Sequence, residues 1–374
     1  MIRRFESTVA GPAERGEEFG SRHASEIART VDAYRWLFEI RRAEFGGPPT
    51  DVDGLARRAL ERIEEYSPDL AQEIRGIAGG AGVPVTDLGA LNARTEILAV
   101  IDRTAGFPGP DECSAVVSLG DEHTEPAAVQ TWDWYADMAD NWLEWTIPLP
   151  EGRRVVTVTE YGIVGKIGVN SAGVGLLFTM MHHRDDGADI GVPVHAIARR
   201  ILEVADSVDA GMALAADGRT SASTSLTLVG ARRAGKRATT AELWPGGPGF
   251  VEPTPEGLLV HTNHFLSDPA RAGDVSPYTT SDTRVRYAAL RRRLDPYRGR
   301  ADTAQILAAM NDHEGGVCCH PDPEFQTEPY FGTLATVSLD LVSGSLTTTP
   351  NGPCAAATAA ILSDSAQPVR PTGV

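Results

Sequence analysis

Cys113 is the residue whose setting most suggests chemistry. It stands in the stretch DECSAVVS, directly after two carboxylates and at the start of what reads as a buried β-strand. A cysteine of this kind is often a small core residue, and a papain-like nucleophile would need a helix N-terminus beneath the thiol. A third interpretation is an N-terminal nucleophile. After cleavage between Glu112 and Cys113, the new α-amine titrates close enough to the thiol to accept its proton.

Three polar residues further along could complete such a site. Asp133 lies between two tryptophans, twenty residues after Cys113, and this spacing suits a hairpin whose return strand brings the carboxylate beside the thiol. Asn170, in a glycine-rich turn, and Asn263, in the stretch HTNHF, could provide hydrogen bonds to an oxyanion. Each residue alone is more often an ordinary turn or strand-end residue, so the hypothesis depends on their occurring together.

Aromatic residues follow Cys113 closely along the chain. The segment from Trp132 to Trp145 carries four tryptophans and a tyrosine. Core packing and the lining of an apolar acyl pocket explain such a segment equally well. If it lines a pocket, Trp134 and Tyr135 are the residues that we expect to contact the substrate.

The elements that must position these residues fall into two groups by periodicity. From residue 12 to about residue 101, apolar residues recur at three- and four-residue spacing, which predicts helices. From residue 113 onward, short apolar stretches separated by turn signals predict strands, interrupted by helical patterns in 191–217 and 281–312. Strand runs with paired helices favour a layered α+β fold over βαβ alternation. We find no dinucleotide-binding glycine motif and no Walker A loop.

The composition narrows the classes of function. The formal net charge is −17 and the isoelectric point about 5.0, so we expect neither nucleic acid nor a membrane as a partner. Without an apolar leader or a bilayer-length apolar stretch, the chain is expected to be cytoplasmic. Four cysteines in a chain of this length do not form a secreted disulfide framework, so we expect reduced thiols, and no C-x-x-C pair indicates a zinc ribbon. Because the adjacent Cys318 and Cys319 cannot readily bind one ion together, we expect no metal and no bound cofactor.

Five motifs, taken in order, resemble one known family. The same order is found in the acyl-CoA:6-aminopenicillanate (isopenicillin N) acyltransferases, the C45 group of self-cleaving N-terminal nucleophile hydrolases, which are related to the choloylglycine hydrolases. The resemblance covers nearly the whole chain, from residue 11 to residue 354. The motifs are DECSAVVS, QTWDWY, GVNSAGVGLLF, HTNHFL and a C-terminal GTLATVSLDL followed by GPC.

The resemblance implies a fold and a processing event. The fold is the four-layer αββα arrangement of N-terminal nucleophile hydrolases. The chain would be made as a precursor and cut before Cys113, in a reaction that its own thiol performs. The products would be an α chain of residues 1–112 and a β chain of residues 113–374, which remain associated as one composite domain.

The resemblance also implies roles for individual residues. Cys113 resembles the nucleophile, Asp133 the aspartate in contact with its amine, and Asn263 the side-chain donor of the oxyanion hole. Asn170 matches a turn that contributes to the site in the related choloylglycine hydrolases. The chain departs from the family at two positions. Glu112 stands where relatives often carry glycine, and a cysteine at position 319 replaces a frequent arginine, which makes penicillin-like anions less expected as substrates.

The sequence therefore predicts an acyltransferase or amidohydrolase that works through an acyl-enzyme intermediate. Its partners would be a small-molecule acyl donor, for which an acyl-CoA is one option, and an amine or water as acceptor. Two alternatives remain open at this point. One is a dedicated hydrolase of N-acyl or aminoacyl amines, such as β-alanyl amines, and the other is an unprocessed binding protein of the same fold. The sequence sets no oligomeric state.

Overall fold

The computed structural model describes residues 2–44, 47–105, 113–231, 235–278, 282–322, 324 and 329–356. Glu112, on the N-terminal side of the predicted cleavage site, lies outside these residues, whereas Cys113 lies within them. The described part of the chain contains ten α-helices and thirteen strands. No helix among these residues is both long enough and apolar enough to cross a bilayer.

Six helices precede Cys113, where the three- and four-residue periodicity predicted them. They are α1 (Pro12–Arg22), α2 (Ala24–Glu44), α3 (Val52–Tyr66), α4 (Pro68–Ala81), α5 (Val85–Asn92) and α6 (Arg94–Ala105). Proline occupies the first turn of α1 and of α4, and the Asp51 side chain caps α3 by accepting from the Gly54 N–H. Helix α4 ends at Gly82 in the left-handed conformation, with φ of 69°.

Four more helices follow in two pairs, both in segments that the sequence predicted to be helical. They are α7 (Val194–Val204), α8 (Val208–Asp217), α9 (Thr283–Leu294) and α10 (Thr303–Met310). Helix α10 starts with a capping box, in which Asp302 and Gln305 each accept a hydrogen bond from the other's backbone N–H. The capping box explains why this short helix begins where it does.

The strands lie between these helices. They are β1 (Arg4–Glu6), β2 (Ser114–Ser118), β3 (Ala127–Tyr135), β4 (Trp142–Pro148), β5 (Arg154–Glu160), β6 (Ile167–Asn170), β7 (Val174–Met180), β8 (Thr224–Gly230), β9 (Arg237–Trp244), β10 (Gly247–Val251), β11 (Leu258–His261), β12 (Phe331–Asp340) and β13 (Ser345–Pro350). The larger sheet has the order β1-β4-β5-β6-β7-β8-β9-β10, and the smaller sheet has the order β11-β2-β3-β12-β13. Neighbouring strands are antiparallel except for β1, which pairs in parallel with β4.

The two sheets pack face to face. A Cβ atom placed on Gly175 of β7 would meet Leu339 of β12, so this face of the larger sheet contacts the smaller sheet. On the neighbouring strand, a Cβ atom on Gly168 of β6 would meet Leu202 of α7. The larger sheet is therefore covered by the smaller sheet on one face and by helices on the other.

The outer face of the smaller sheet is covered by the second helix pair. Val116 of β2 and Val260 of β11 share a hydrophobic cluster with Leu290 of α9 and Ile306 of α10. Val117, the next residue of β2, belongs instead to the main core between the sheets. The order of layers is thus helices, sheet, sheet, helices. This is the α+β, four-layer αββα fold that the resemblance implied.

Three strands were not predicted from the sequence. β1 has only three residues, too few for its alternation to be recognised. β4 lies in the tryptophan-rich segment, where two of the tryptophans, Trp142 and Trp145, are now found buried in a strand. β10 contains Pro248, which argues against a strand in a sheet interior but is tolerated here because β10 is the edge strand.

Helices α1 and α4 approach each other very closely through glycines. Cβ atoms on Gly16 and Gly20 of α1 would overlap backbone carbonyl oxygens of α4, and those on Gly76 and Gly80 of α4 would overlap carbonyl oxygens of α1. The glycines are spaced four residues apart on each helix, so they share one face. In the glycine-rich stretch at the end of α4, only Gly82 acts as the terminator of the helix.

Candidate active site

The hairpin formed by β2 and β3 brings Cys113 beside Asp133. Ser114 pairs with Thr131 across this hairpin, which places Cys113 opposite the end of β3 that carries Asp133. The Sγ atom of Cys113 lies 3.8 Å from the backbone carbonyl oxygen of Asp133. The twenty-residue spacing between the two residues therefore corresponds to a strand, a turn and a return strand.

A small buried cavity adjoins Cys113 between the two sheets, with a volume of about 10 Å³, which is room for about one water molecule. Next to it, β6 is short and pairs only with Gly175 and Leu176 of β7, which leaves the end of β7 without a strand partner on that side. The side chain of Gln130 accepts from the Phe178 N–H at 2.7 Å and donates to its carbonyl oxygen, in place of a strand. The residues that line the cavity are Arg94, Cys113, Trp132, Asp133, Trp134, Lys166, Phe178, Met180 and Asn263.

Asn263 holds the main-chain nitrogen of Cys113. Its Oδ1 atom accepts a hydrogen bond from the Cys113 N–H at 2.9 Å and a second one from Arg286 at 2.9 Å. Only an oxygen can accept from both donors, which fixes the orientation of the amide. Its Nδ2 atom donates to the carbonyl oxygen of Met180 at 2.8 Å. The amide nitrogen predicted to bind an oxyanion is thus engaged with β7, and that role remains a prediction.

Arg286 is a site residue that the sequence analysis did not single out. Its guanidinium is fully buried and donates to the Cys113 carbonyl oxygen at 2.8 Å and to Ser114 Oγ at 3.1 Å. Asp282, one turn earlier, accepts from its Nε at 2.5 Å. The helical spacing offered a signal, because Arg286 lies four residues before the buried Leu290 and so shares its face.

Two buried cations, Arg94 and Lys166, line the cavity, and both bind the buried carboxylate of Glu160 behind it. Arg94, from α6, donates to Glu160 at 3.1 Å, and Lys166 donates to the same carboxylate oxygen at 3.2 Å. None of the three side chains is more than 2% exposed. The hydroxyl of Tyr34 donates to the other oxygen of Glu160. A signal for this group was present in the sequence, since Lys166 is one of only two lysines and lies in an apolar, strand-forming stretch.

The protonation of this group follows from its burial and its charges. Burial lowers the pKa of Lys166 to about 7, although Glu160 acts in the opposite direction. Burial alone would raise the pKa of Glu160, but Arg94 and Lys166 outweigh it and lower the pKa to about 2. The site therefore combines a permanent cation, a carboxylate and a lysine that titrates near neutral pH.

The two tryptophans of QTWDWY contact these cations. The Nζ atom of Lys166 lies 3.7 Å from the ring centroid of Trp132, and the guanidinium carbon of Arg94 lies 4.6 Å from that of Trp134. Such contacts stabilise buried cations through the negative face of the ring. The tryptophans thus have a role beyond filling the core, and they form apolar walls of the cavity.

Two predicted site residues lie outside the cavity. Asn170 stands at the opposite end of β6 from Lys166, where its Nδ2 donates to the carbonyl oxygens of Leu202 and Ala205 and its Oδ1 accepts two backbone N–H groups. These bonds fix the turn after β6 to the end of α7, so the prediction that Asn170 contributes to the site is not supported by its position. Tyr135 packs against Phe331, with ring centroids 5.6 Å apart, and does not line the cavity.

The chain is similar to known acyltransferases. A model of the family described as acyl-coenzyme A:6-aminopenicillanic acid acyl-transferase matches residues 120–354. The acyl-coenzyme A:6-aminopenicillanic-acid-acyltransferase 40 kDa form of Emericella nidulans is 28% identical over 276 residues, which are 73% of this chain and 72% of the relative. Penicillin V acylase from Agrobacterium tumefaciens is a solved structure with 14% identity and a TM-score of 0.42, covering 64% of this chain and 84% of its own.

Proposed function

The chain belongs to the acyl-coenzyme A:6-aminopenicillanic acid acyl-transferase family, and on this basis we propose that it transfers or hydrolyses an acyl group through Cys113. The single observation that supports this most is the setting of the Cys113 nitrogen. That nitrogen is held at 2.9 Å by Asn263 Oδ1, beside a thiol that opens into a cavity. In a chain cleaved before residue 113, the same contact would hold and orient a free α-amine.

The first reaction in this proposal is cleavage of the chain itself. The Cys113 sulfur attacks the carbonyl carbon of Glu112, and the bond between that carbon and the Cys113 nitrogen breaks. The nitrogen takes up the proton that the thiol releases, which leaves a thioester, and water then hydrolyses the thioester to a carboxylate and a free thiol. Arg286 supports this step because it binds the Cys113 carbonyl oxygen and so restricts rotation of the residue that must attack.

The second reaction acts on a small acylated substrate. The thiolate attacks an amide or thioester carbonyl, and the α-amine carries the proton to the leaving amine or thiol. Water or an amine then accepts the acyl group. Arg94 and Lys166 supply positive charge in a buried setting, which favours a thiolate and an oxyanion. A role of Asp133 in holding the α-amine fits its position on the cavity wall.

The cavity indicates the polarity of the acyl group rather than its size. Its volume of about 10 Å³ is far below that of a small-molecule pocket, so the surrounding side chains must move apart to admit an acyl group. Four of its walls are the apolar side chains of Trp132, Trp134, Phe178 and Met180. We therefore propose an acyl group with an apolar end, carried by an amine or by a thiol such as that of coenzyme A.

The test of the proposal is the state of the purified chain. Intact-mass measurement and N-terminal sequencing should find a new terminus at Cys113 in the wild type and one uncut chain in Cys113→Ala. Cys319→Ser, which alters a thiol outside the cavity, is the matched control and should be cut like the wild type. A wild-type chain that stays at full mass would favour the unprocessed binding protein, and cleavage in Cys113→Ala would rule out the mechanism. For a processed chain, product analysis with and without an added amine separates a transferase from a dedicated hydrolase.

A further inference from the structure

Four potential metal ligands from separate segments converge beside the smaller sheet. His313 follows α10, Cys318 and His320 lie in the segment that leads towards β12, and Cys354 lies in the short helical segment that follows β13. The ligand atoms of all four side chains lie within 4.8 Å of one another. None of these residues lines the cavity next to Cys113. The cluster is therefore separate from the candidate active site.

The three distances from Nε2 of His320 to the other ligand atoms agree with the edges of a tetrahedral zinc site. Zinc binds thiolate sulfur at about 2.3 Å and imidazole nitrogen at about 2.0–2.1 Å, so the edges of its tetrahedron measure about 3.5 Å from sulfur to nitrogen and about 3.3 Å between nitrogens. In this chain, Nε2 of His320 lies 3.4 Å from Cys318 Sγ and 3.5 Å from Cys354 Sγ. It lies 3.2 Å from Nε2 of His313.

We propose that His313, Cys318, His320 and Cys354 bind one Zn²⁺ ion. Two imidazoles and two thiolates complete a four-coordinate shell, which is the donor set of a structural zinc site and leaves no open position for catalysis. Soft sulfur donors with imidazole select zinc over magnesium, calcium or manganese. Binding would release the two thiol protons to solvent.

The neighbouring cysteine explains why the sequence did not indicate this site. The thiol of Cys319 lies 3.8 Å from the carbonyl oxygen of Phe331 and does not belong to the cluster. The objection that adjacent cysteines cannot share an ion therefore does not apply, because only Cys318 contributes. The fourth ligand, Cys354, lies too far along the chain to form a recognisable spacing.

The backbone around the cluster allows the ligands to approach. A Cβ atom on Gly352 would lie 2.6 Å from Cys318 Sγ, so the turn after β13 can bring Cys354 to this position only with a residue that lacks a side chain. Between the ligands, Cys319 is bonded to β12, since its carbonyl oxygen accepts from the Thr333 N–H at 3.0 Å. Thr333 pairs with Asp133 of β3. A zinc ion would thus brace the strand next to Asp133 and join it to α10 and to the turn after β13.

The experiment uses the full chain under reducing conditions. Elemental analysis after growth with added zinc should find one zinc per chain. After removal of the metal with a chelator, titration with Co²⁺ should give the intense red-region bands of a tetrahedral site, with near-ultraviolet thiolate charge transfer. Cys354→Ser and His320→Asn should each weaken Co²⁺ and Zn²⁺ binding at least about 100-fold, the upper range for loss of a residue that only supports a ligand. Cys319→Ser, the control, should retain the wild-type stoichiometry and spectrum.

Three results would overturn the zinc site. One is a wild-type chain that binds neither metal, and the second is equal binding by the wild type and the two ligand variants. The third is a bond between Cys318 and Cys354 that persists in reductant, detected as two missing thiols. Because the wild-type spectrum needs no substitution, poor folding of a variant does not decide the outcome. Cleavage before Cys113 is measured separately, so the two proposals can fail independently.

Discussion

Among individual residues, Lys166 shows how lysine and arginine differ at a buried position. All but two of its 34 basic residues are arginines, yet a lysine occupies the buried position beside Cys113. Arginine keeps its charge under all ordinary conditions, whereas a buried lysine can lose its proton. With a pKa lowered by burial to about 7, Lys166 can supply or release charge next to the thiol. The choice of lysine is thus consistent with a functional requirement.

The shifted pKa of Lys166 predicts a pH-dependent stability. Its folded pKa of about 7 lies below the ordinary value of 10.5, so between these values the unfolded chain binds more protons and stability rises with pH. Lys166→Met removes this dependence. The free energy of unfolding of the wild type, relative to Lys166→Met, should therefore rise by roughly 3 kcal/mol between about pH 6 and about pH 9. Urea unfolding at both pH values measures it.

The control for this prediction is Lys236→Met, at the only other lysine, which does not line the cavity. It should follow the wild type in its pH dependence. Loss of the Lys166 partner also affects Glu160, but that carboxylate stays ionised over the range and contributes a constant offset. A difference between the wild type and Lys166→Met that is the same at both pH values would contradict the titration of Lys166 near neutral pH.

The sequence identified some site residues and missed others for a physical reason. Cys113, Asp133 and Asn263 were found because each lies in a recognisable local pattern, a strand start or a strand end. Arg94 is the first residue of α6, and Arg286 shares α9 with four other arginines. Helical spacing places Arg286 on the buried face of α9, but no local pattern shows which distant partners either arginine meets. Their importance arises from distant segments that meet only in the fold.

At the level of elements, the contact between α1 and α4 depends on having no side chain at four positions. Gly16→Ala should destabilise the chain by about 1–3 kcal/mol, because its Cβ would overlap the carbonyl oxygen of Glu73 and the helices would have to separate. Gly79→Ala, on the same helix pair, is the matched control, since no atom lies within 4 Å of its Cβ position. It should raise stability by about 0.5–1 kcal/mol through helix propensity.

Chemical unfolding midpoints of the two glycine variants test this packing. Shifts of opposite sign support the close approach of the helices. Two shifts of the same sign and size would mean that Gly16 matters only through helix propensity. The periodicity predicted both helices but not this contact. Glycine has a low helix propensity, and its role in close packing is visible only when the facing helix is known.

The elements were more predictable than their arrangement. Within the described residues, all ten helices lie in stretches predicted to be helical and ten of the thirteen strands lie in stretches predicted to be strands, but the stretches were not divided into these individual elements. It did not predict that β6 would be so short, which leaves without a strand partner the end of β7 that lines the cavity with Phe178 and Met180. The length of β6 is set by its pairing with β5 and β7 and by the Asn170 turn. These contacts join separate segments, so they produce no periodic pattern of apolar residues in the sequence.

On the scale of the whole molecule, residues before the predicted cleavage position interact with residues after it, in both the sheet layers and the helix layers. Glu73 of α4 accepts from Arg199 of α7 at 2.9 Å, Arg94 of α6 pairs with Glu160, and β1 pairs with β4. The two ion pairs are buried, so separating the two parts would leave charges without partners in the core. We therefore expect a chain cut before residue 113 to remain one particle.

Native and denaturing measurements of the same sample test this expectation. Native mass spectrometry of the cleaved protein should give one species with the summed mass of both fragments, and denaturing gel electrophoresis should give two bands. The uncut Cys113→Ala chain is the control and should give the same native size, with one band. Two separate species under native conditions would contradict the expectation that these contacts hold the two fragments together.

The position of β1 also bears on how a fragment beginning at Cys113 would behave if it were produced alone. Strand β1 covers the outer side of β4 and satisfies its backbone groups. Without it, β4 would be an unpaired edge strand rich in aromatic residues, and a strand from another molecule could pair with it. Such a fragment should self-associate, and supplying residues 1–105 as a separate polypeptide during refolding should suppress the aggregation.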